Sequence, residues 1–220
     1  MAYLYLIGVI LLVALAVAVV MLRAAHANMR VLAMTDELTG IANRRAMIAQ
    51  LEKLLAETST APLALLIIDI DYFKLINDRH GHQSGDAAIR TVARMLRNTA
   101  PESAIVARQG GEEFAVVLPN TSLDQAAPLA ERFRQCIALL DSDLWQGIDD
   151  MTASIGVTVS GAQPEQPGDL LRRADNALYA AKRAGRNCVR IVTDSPIVPV
   201  PLQEVLPGLS PAERRAARQR

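Results

Sequence analysis

A chain of 220 residues holds one domain of ordinary size with attachments, and two domains would be cramped. Lysine plus arginine and aspartate plus glutamate both total 23, so no charge excess recommends a polyanionic partner, and nucleic acid is set aside. The two cysteines, Cys136 and Cys188, lack the paired spacing of a zinc site and are too few for a disulfide framework, so both read as reduced, small apolar residues.

Tyr3 to Leu22 is an uncharged apolar run of about 20 residues, the length a helix needs to cross roughly 30 Å of hydrocarbon. Tyr3 and Tyr5 suit one interface, while Arg23 and Arg30 follow the other end and direct the remainder to the cytoplasm. A cleaved signal peptide competes, because Ala25-His26-Ala27 has small-x-small spacing. Against it, the run exceeds a normal h-region and no positive n-region precedes it. Residues 1–22 are therefore expected to be a membrane helix and 23–34 a helical stalk. Val20, Ala24, Ala27 and Val31 recur at three-and-four spacing, compatible with parallel pairing of two such helices or with a lone stalk.

A domain is predicted over 35–192. Asn43 suits the N-cap of a helix running to about Ala56, and Leu63 to Asp71 is an apolar, β-branched run that reads as a buried strand. A helix is expected at about Gly85 to Asn98. Ser103 to Arg108 and Glu113 to Leu118 read as strands joined through Gln109 to Glu112, a type I′ hairpin with Gly110 and Gly111 in the central positions. Leu123 to Leu140 is an amphipathic helix and Met151 to Ser160 a strand around Gly156. Asp169 to Ala184 is a helix closed by Gly185, and Cys188 to Val192 a final strand. This order implies an α/β (α+β) fold, a central mixed sheet wrapped by helices. Five of the 11 prolines fall in 193–220, which also ends in a basic stretch, so that segment reads as a disordered tail or as a lipid-contacting one.

Asp69 and Asp71 stand at i and i+2, which in a continuing strand puts both on one face at its end. Glu112 and Glu113 sit at the hairpin tip. Carboxylates converging from two segments are costly unless a cation offsets them, and hard oxygens suit Mg²⁺ or Mn²⁺ held together with a substrate's phosphates. A tip of two glycines leaves room for those phosphates to approach the backbone.

The ordered stretches DELTGIANRR (Asp36 to Arg45), DIDYFKLINDRHGHQSGD (Asp69 to Asp86), RQGGEEF (Arg108 to Phe114), SIGV (Ser154 to Val157) and RADNALYAAKRAGRN (Arg173 to Asn187) resemble the signatures of the GGDEF family, the diguanylate cyclases. The resemblance covers about Ala33 to Val192. It implies a fold related to nucleotidyl cyclases and the polymerase palm, and a reaction in which two GTP condense to cyclic di-GMP with release of two pyrophosphates. It also implies a bacterial homodimer, since each protomer brings one GTP; the apolar run at Tyr3 to Leu22 then puts it in the inner (cytoplasmic) membrane.

Carried onto this chain, Asp69, Glu112 and the carbonyl of Ile70 would hold Mg²⁺, with Glu112 also a proton acceptor and Glu113 outside the metal's ligands. Asn77, Asp86 and His82 would bind guanine, and a carboxylate can accept from its N1–H and N2–H together. Lys74, Lys182 and Arg186 would meet phosphate, with Phe73, Gly110 and Gly111 also lining the substrate site and Tyr72 left out of it. The family's Arg-x-x-Asp product site falls on Pro101 and Ala104, so that form of feedback is not expected. Two other classes stay open: a catalytically silent GTP-binding regulatory module, and a structural membrane protein without nucleotide chemistry.

Overall fold

The structure is a computed structural model that describes residues 3, 6–8, 12–13, 15–22, 34–57, 61–140, 151–161, 165–193 and 198–199. Its order is β1 (Ala42–Asn43), α1 (Arg44–Glu57), β2 (Ala64–Ile70), α2 (Phe73–His80), α3 (His82–Thr99), β3 (Ile105–Gly110), β4 (Glu113–Leu118), α4 (Leu123–Ala138), β5 (Ala153–Val159), α5 (Pro167–Arg183), β6 (Val189–Ile191) and β7 (Val198–Pro199). The strands form one mixed sheet in the order β1-β3-β4-β2-β5-β6-β7.

β2 lies centrally, antiparallel to β4 and β5, and every one of its residues is buried. Its unbroken apolar run follows from having helices on both faces. Leu66, Ile68 and Ile70 join Phe114, Phe133, Val92 and Leu96 in a core with α2, α3 and α4. Leu65 and Ile67 face Met47 and Leu51 of α1 and Leu170 and Leu178 of α5. On β5, a Cβ at Gly156 would collide with the carbonyl of Ala174 and the backbone of Leu178. Glycine there lets α5 lie directly on the sheet.

Several expected features recur. Asn43 caps α1, its Oδ1 accepting from the Ala46 N–H at 3.0 Å. Gly185 follows the C-cap of α5 at φ 107°. Other features differ from expectation. The hairpin is not a type I′ turn centred on both glycines. The register shifts between Arg108 and Gly110, Gly110 pairs with Glu113, and the turn falls on Gly111 and Glu112. A bulge at Gln109 absorbs one residue and moves the tip along by one. β2 ends at Ile70, so Asp71 leaves the strand and does not share a face with Asp69. The helix expected from Gly85 begins at His82, and α2 and β1 add elements that local pattern does not announce.

Among the described residues no helix is long and apolar enough to cross a membrane. The described positions of the Tyr3 to Leu22 run are helical and exposed. Residues 23–33, where most of the stalk repeat falls, lie outside the described residues, as does most of 193–220. From that last segment Val198–Pro199 pairs antiparallel with β6.

Candidate active site

Asp69 is the sixth residue of β2, opposite Glu113 on one neighbour and Ser154 on the other. It is 5% exposed, and the Lys182 ammonium lies 2.8 Å from its Oδ2. Lys182 reaches it because α5 packs onto β5 across Gly156. Burial pushes the Asp69 carboxyl above its usual range. Lys182 opposes that shift, and the negative charges of Glu112 and Asp71 add to it. The end of β2 thus concentrates negative charge and already holds one cation.

Asp71 has a different role. Its Oδ2 accepts from Thr152 Oγ1 at 2.7 Å and from the Asn187 N–H at 3.0 Å, and its Oδ1 accepts from Ser154 Oγ at 2.6 Å. At 4% exposure these donors occupy the carboxylate, which ties the loop after α5 to the start of α2. Nothing local marks this use, because the donors stand at least 81 positions away in sequence.

The hairpin tip is held beside β2. The Ile70 N–H donates to the Glu112 carbonyl at 3.4 Å, which brings Glu112 next to the strand end. Arg108 fastens the tip from outside, donating from Nε and Nη2 to the Gly111 carbonyl at 2.9 and 2.8 Å and from Nη1 to both oxygens of Asp36 at 3.1 Å. Burial alone would raise the Asp36 carboxyl. Hydrogen bonds from Thr39 and Arg108, together with the guanidinium's charge, hold it below the usual range. The adjacent Glu113 carboxyl is raised, by burial first and then by Asp69, with Lys182 opposing. Glu113 lines a cavity of about 410 Å³ with Arg44, Asp175, Tyr179 and Lys182.

The residues expected to meet guanine gather where α2 and α3 adjoin. A Cβ at Gly85 would collide with the Asn77 Oδ1 and come within 3.1 Å of Phe73 Cζ, so this glycine sets how closely the Asn77 side chain packs against α3. Sequence reasoning did not assign Gly85 to the site. The Asp86 side chain is 49% exposed, with Arg90 at 4.0 Å. His82 is the exposed first residue of α3, Phe73 is buried in the core, and Lys74 is exposed on the first turn of α2. Lys182 and Arg186 share the end of α5 and its loop, close to Asp69 and Asp71. Pro101 and Ala104, the positions onto which the Arg-x-x-Asp pattern falls, line a groove of about 700 Å³ with Arg97 and Glu102 and supply neither a guanidinium nor a carboxylate.

Among the described residues, no three His, Cys, Asp or Glu side chains group as a metal site. The donor chemistry nevertheless suits Mg²⁺, which needs one or two carboxylates and takes its other ligands from substrate and water. Asp69 and Glu112 are hard donors close enough for their charges to interact, at a position that already draws an ammonium.

The sequence model described as "Diguanylate cyclase, GGDEF domain" matches residues 33–188. The chain belongs to the GGDEF diguanylate cyclase family. It is 41% identical over 162 residues to the response regulator PleD of Caulobacter vibrioides, covering 72% of this chain and 36% of PleD. It is 40% identical over 162 residues to the diguanylate cyclase DgcP of Pseudomonas aeruginosa, covering 72% of this chain and 24% of DgcP. The chain therefore spans about a third or less of these two relatives. Among solved structures it is similar to the coiled coil and GGDEF domain of DgcB from Caulobacter crescentus in complex with c-di-GMP. That match has a TM-score of 0.74 and 34% identity, and covers 81% of this chain and 94% of that one. The active GGEEF domain of a diguanylate cyclase from Vibrio cholerae matches with a TM-score of 0.64 and 35% identity, covering 70% of this chain and 97% of that one.

Proposed function

We propose that this chain condenses two GTP into cyclic di-GMP, with a 3′-hydroxyl oxygen of each GTP forming a bond to the α-phosphorus of the other and pyrophosphate leaving each time. The observation that carries this is the meeting of Asp69, Lys182 and the Gly111-Glu112 tip at one strand end, within a domain of this family. Asp69, Glu112 and the Ile70 carbonyl are the residues that would hold Mg²⁺. When bound, that ion offsets charge on the α-phosphate and acidifies the attacking hydroxyl. Glu112 takes the proton the hydroxyl loses. Lys182, Arg186 and Lys74 bind the triphosphate, and Gly110 and Gly111 leave space for it beside the hairpin. Asp86 accepts from guanine N1–H and N2–H with Asn77 alongside, and adenine offers no such pair. His82 lines the guanine pocket.

Each protomer supplies one GTP, so the active species is a homodimer. Tyr3 to Leu22 anchors it in the cytoplasmic membrane of a bacterium with the domain on the cytoplasmic side. The support for the anchor is the uncharged apolar run followed by Arg23 and Arg30. Incubating the full chain, in detergent, with GTP and MgCl₂ and resolving the nucleotides by chromatography tests the activity. Cyclic di-GMP and pyrophosphate are predicted in a 1:2 ratio. Tight GTP binding by a verified dimer with no product would leave only a silent GTP-binding module. Carbonate extraction tests the anchor, which fails if the chain washes off membranes.

A further inference from the structure

Among the exposed aromatics beside the site, Tyr72 stacks against a residue already assigned to phosphate and has itself been given no role. Tyr72 directly precedes α2, is 61% exposed, and has a left-handed backbone at φ 55°. A residue with a Cβ is disfavoured there, and asparagine or glycine suits the position better. Across from it, Arg186 and Asn187 are also left-handed, at φ 66° and 44°. The two strained segments are bound together. Asn187 N–H donates to the buried Asp71 carboxylate, Asn187 Oδ1 accepts from Arg134, and Arg186 N–H donates to the Ala181 carbonyl at 3.1 Å. The result brings the Arg186 Cζ to 4.5 Å from the centre of the Tyr72 ring, with Nη1 donating to the Tyr72 hydroxyl at 3.4 Å. That distance is inside the range in which a guanidinium is attracted to a ring face.

We infer that Tyr72 is a positioning residue for the triphosphate: its ring holds the Arg186 guanidinium at the rim of the site, four residues past Lys182, so that the cation is already in place when phosphate arrives. This rests on the reading that Arg186 binds the phosphates of GTP. A long arginine free in solvent would lose side-chain freedom on binding, and stacking removes that loss beforehand. Tyr72 itself touches no reacting atom.

The test is equilibrium binding to the full chain in detergent with Mg²⁺, using the α,β-methylene analogue of GTP, which cannot release pyrophosphate, and GMP as the ligand with a single phosphate. Tyr72→Ala is expected to weaken the analogue about threefold to tenfold while leaving GMP within about twofold. Tyr72→Phe, which keeps the ring, should stay within about twofold of the parent. Tyr72→Asn removes the ring but suits the left-handed backbone, so it should bind as weakly as Tyr72→Ala while melting no lower than the parent. In an Arg186→Ala background Tyr72→Ala should change nothing further, because the pair acts as a unit. Unchanged or tighter analogue binding, an equal loss for GMP, or a loss that persists without Arg186 would each overturn the role of Tyr72 alone. A parent chain that binds neither guanine nucleotide would overturn the proposed function, and this inference with it.

Discussion

At the end of β2 Asp69 carries Lys182, Asp71 is occupied by Thr152, Ser154 and Asn187, and Arg108 clamps the hairpin carbonyl to Asp36. At the junction of α2 and α3 the arrangement is looser. Asp86 is half exposed with a 4.0 Å contact to Arg90, and Asn77 is placed by packing against Gly85. Under the proposed function, the difference follows what each side must do. Charge stabilisation in a transition state works when the groups are fixed beforehand, since their reorganisation then costs nothing at the moment of reaction. Reading a base needs donors and acceptors that stay solvated until the base replaces water, because a buried unpaired carboxylate would be penalised.

The contrast can be broken first on its rigid side. Asp69→Asn or Glu112→Gln should lower cyclic di-GMP formation by about 10²- to 10³-fold, as removal of a fixed charge-stabilising group does. Binding of GMP, read at the other side, should stay nearly unchanged. Asp86→Ala is expected to lose about 10- to 100-fold of the preference for GTP over ATP, measured as a ratio of kcat/KM. Gly85→Ala should push Asn77 aside and cost about tenfold in GTP affinity, while the dependence on Mg²⁺ concentration stays that of the parent.

The smallest effects are on stability against pH, and their signs differ around the site. Asp69, Glu113 and Asp175 have raised carboxyls, so the folded chain holds their protons more tightly than the unfolded chain. Stability from these groups is present below their unfolded pKa values and declines as pH rises through the folded ones. Glu113→Gln should therefore raise the melting temperature at pH 7.5 and leave it unaltered in acid. Asp36 is lowered, so its contribution is present above the unfolded pKa and is lost as pH falls through the folded one. Asp36→Asn should cost about 1 kcal/mol at pH 7, and the deficit should close in strong acid. Thermal melts across pH check both.

What sequence made legible was local. The unbroken apolar run predicts a buried strand within one residue of Ala64–Ile70, Asn43 is readable as a cap, and Glu113–Leu118 is read at its observed bounds. Each signal lies inside the element it describes. Illegible were the features set by distant partners. The Asp36 and Arg108 pair spans 72 positions, and the donors to Asp71 come from 81 to 116 positions away. The bulge at Gln109 exists only relative to β4, and α2 begins from a left-handed tyrosine that propensity would not select. The carboxylates and glycines at the strand end and hairpin tip are legible from residue type and spacing, whereas Asn77, His82, Asp86, Lys74, Lys182 and Arg186 enter through family resemblance. How Asp69 and Asp71 divide their work is a matter of tertiary hydrogen bonding.

The central claim is that carboxylate oxygens from β2 and from the hairpin share one divalent ion with GTP. Electron paramagnetic resonance of Mn²⁺ added to the full chain with the α,β-methylene analogue tests it most directly. One tightly bound Mn²⁺ per protomer is predicted for the parent chain, lost in both Asp69→Asn and Glu112→Gln. Retention of the same stoichiometry and affinity in both variants would contradict the account.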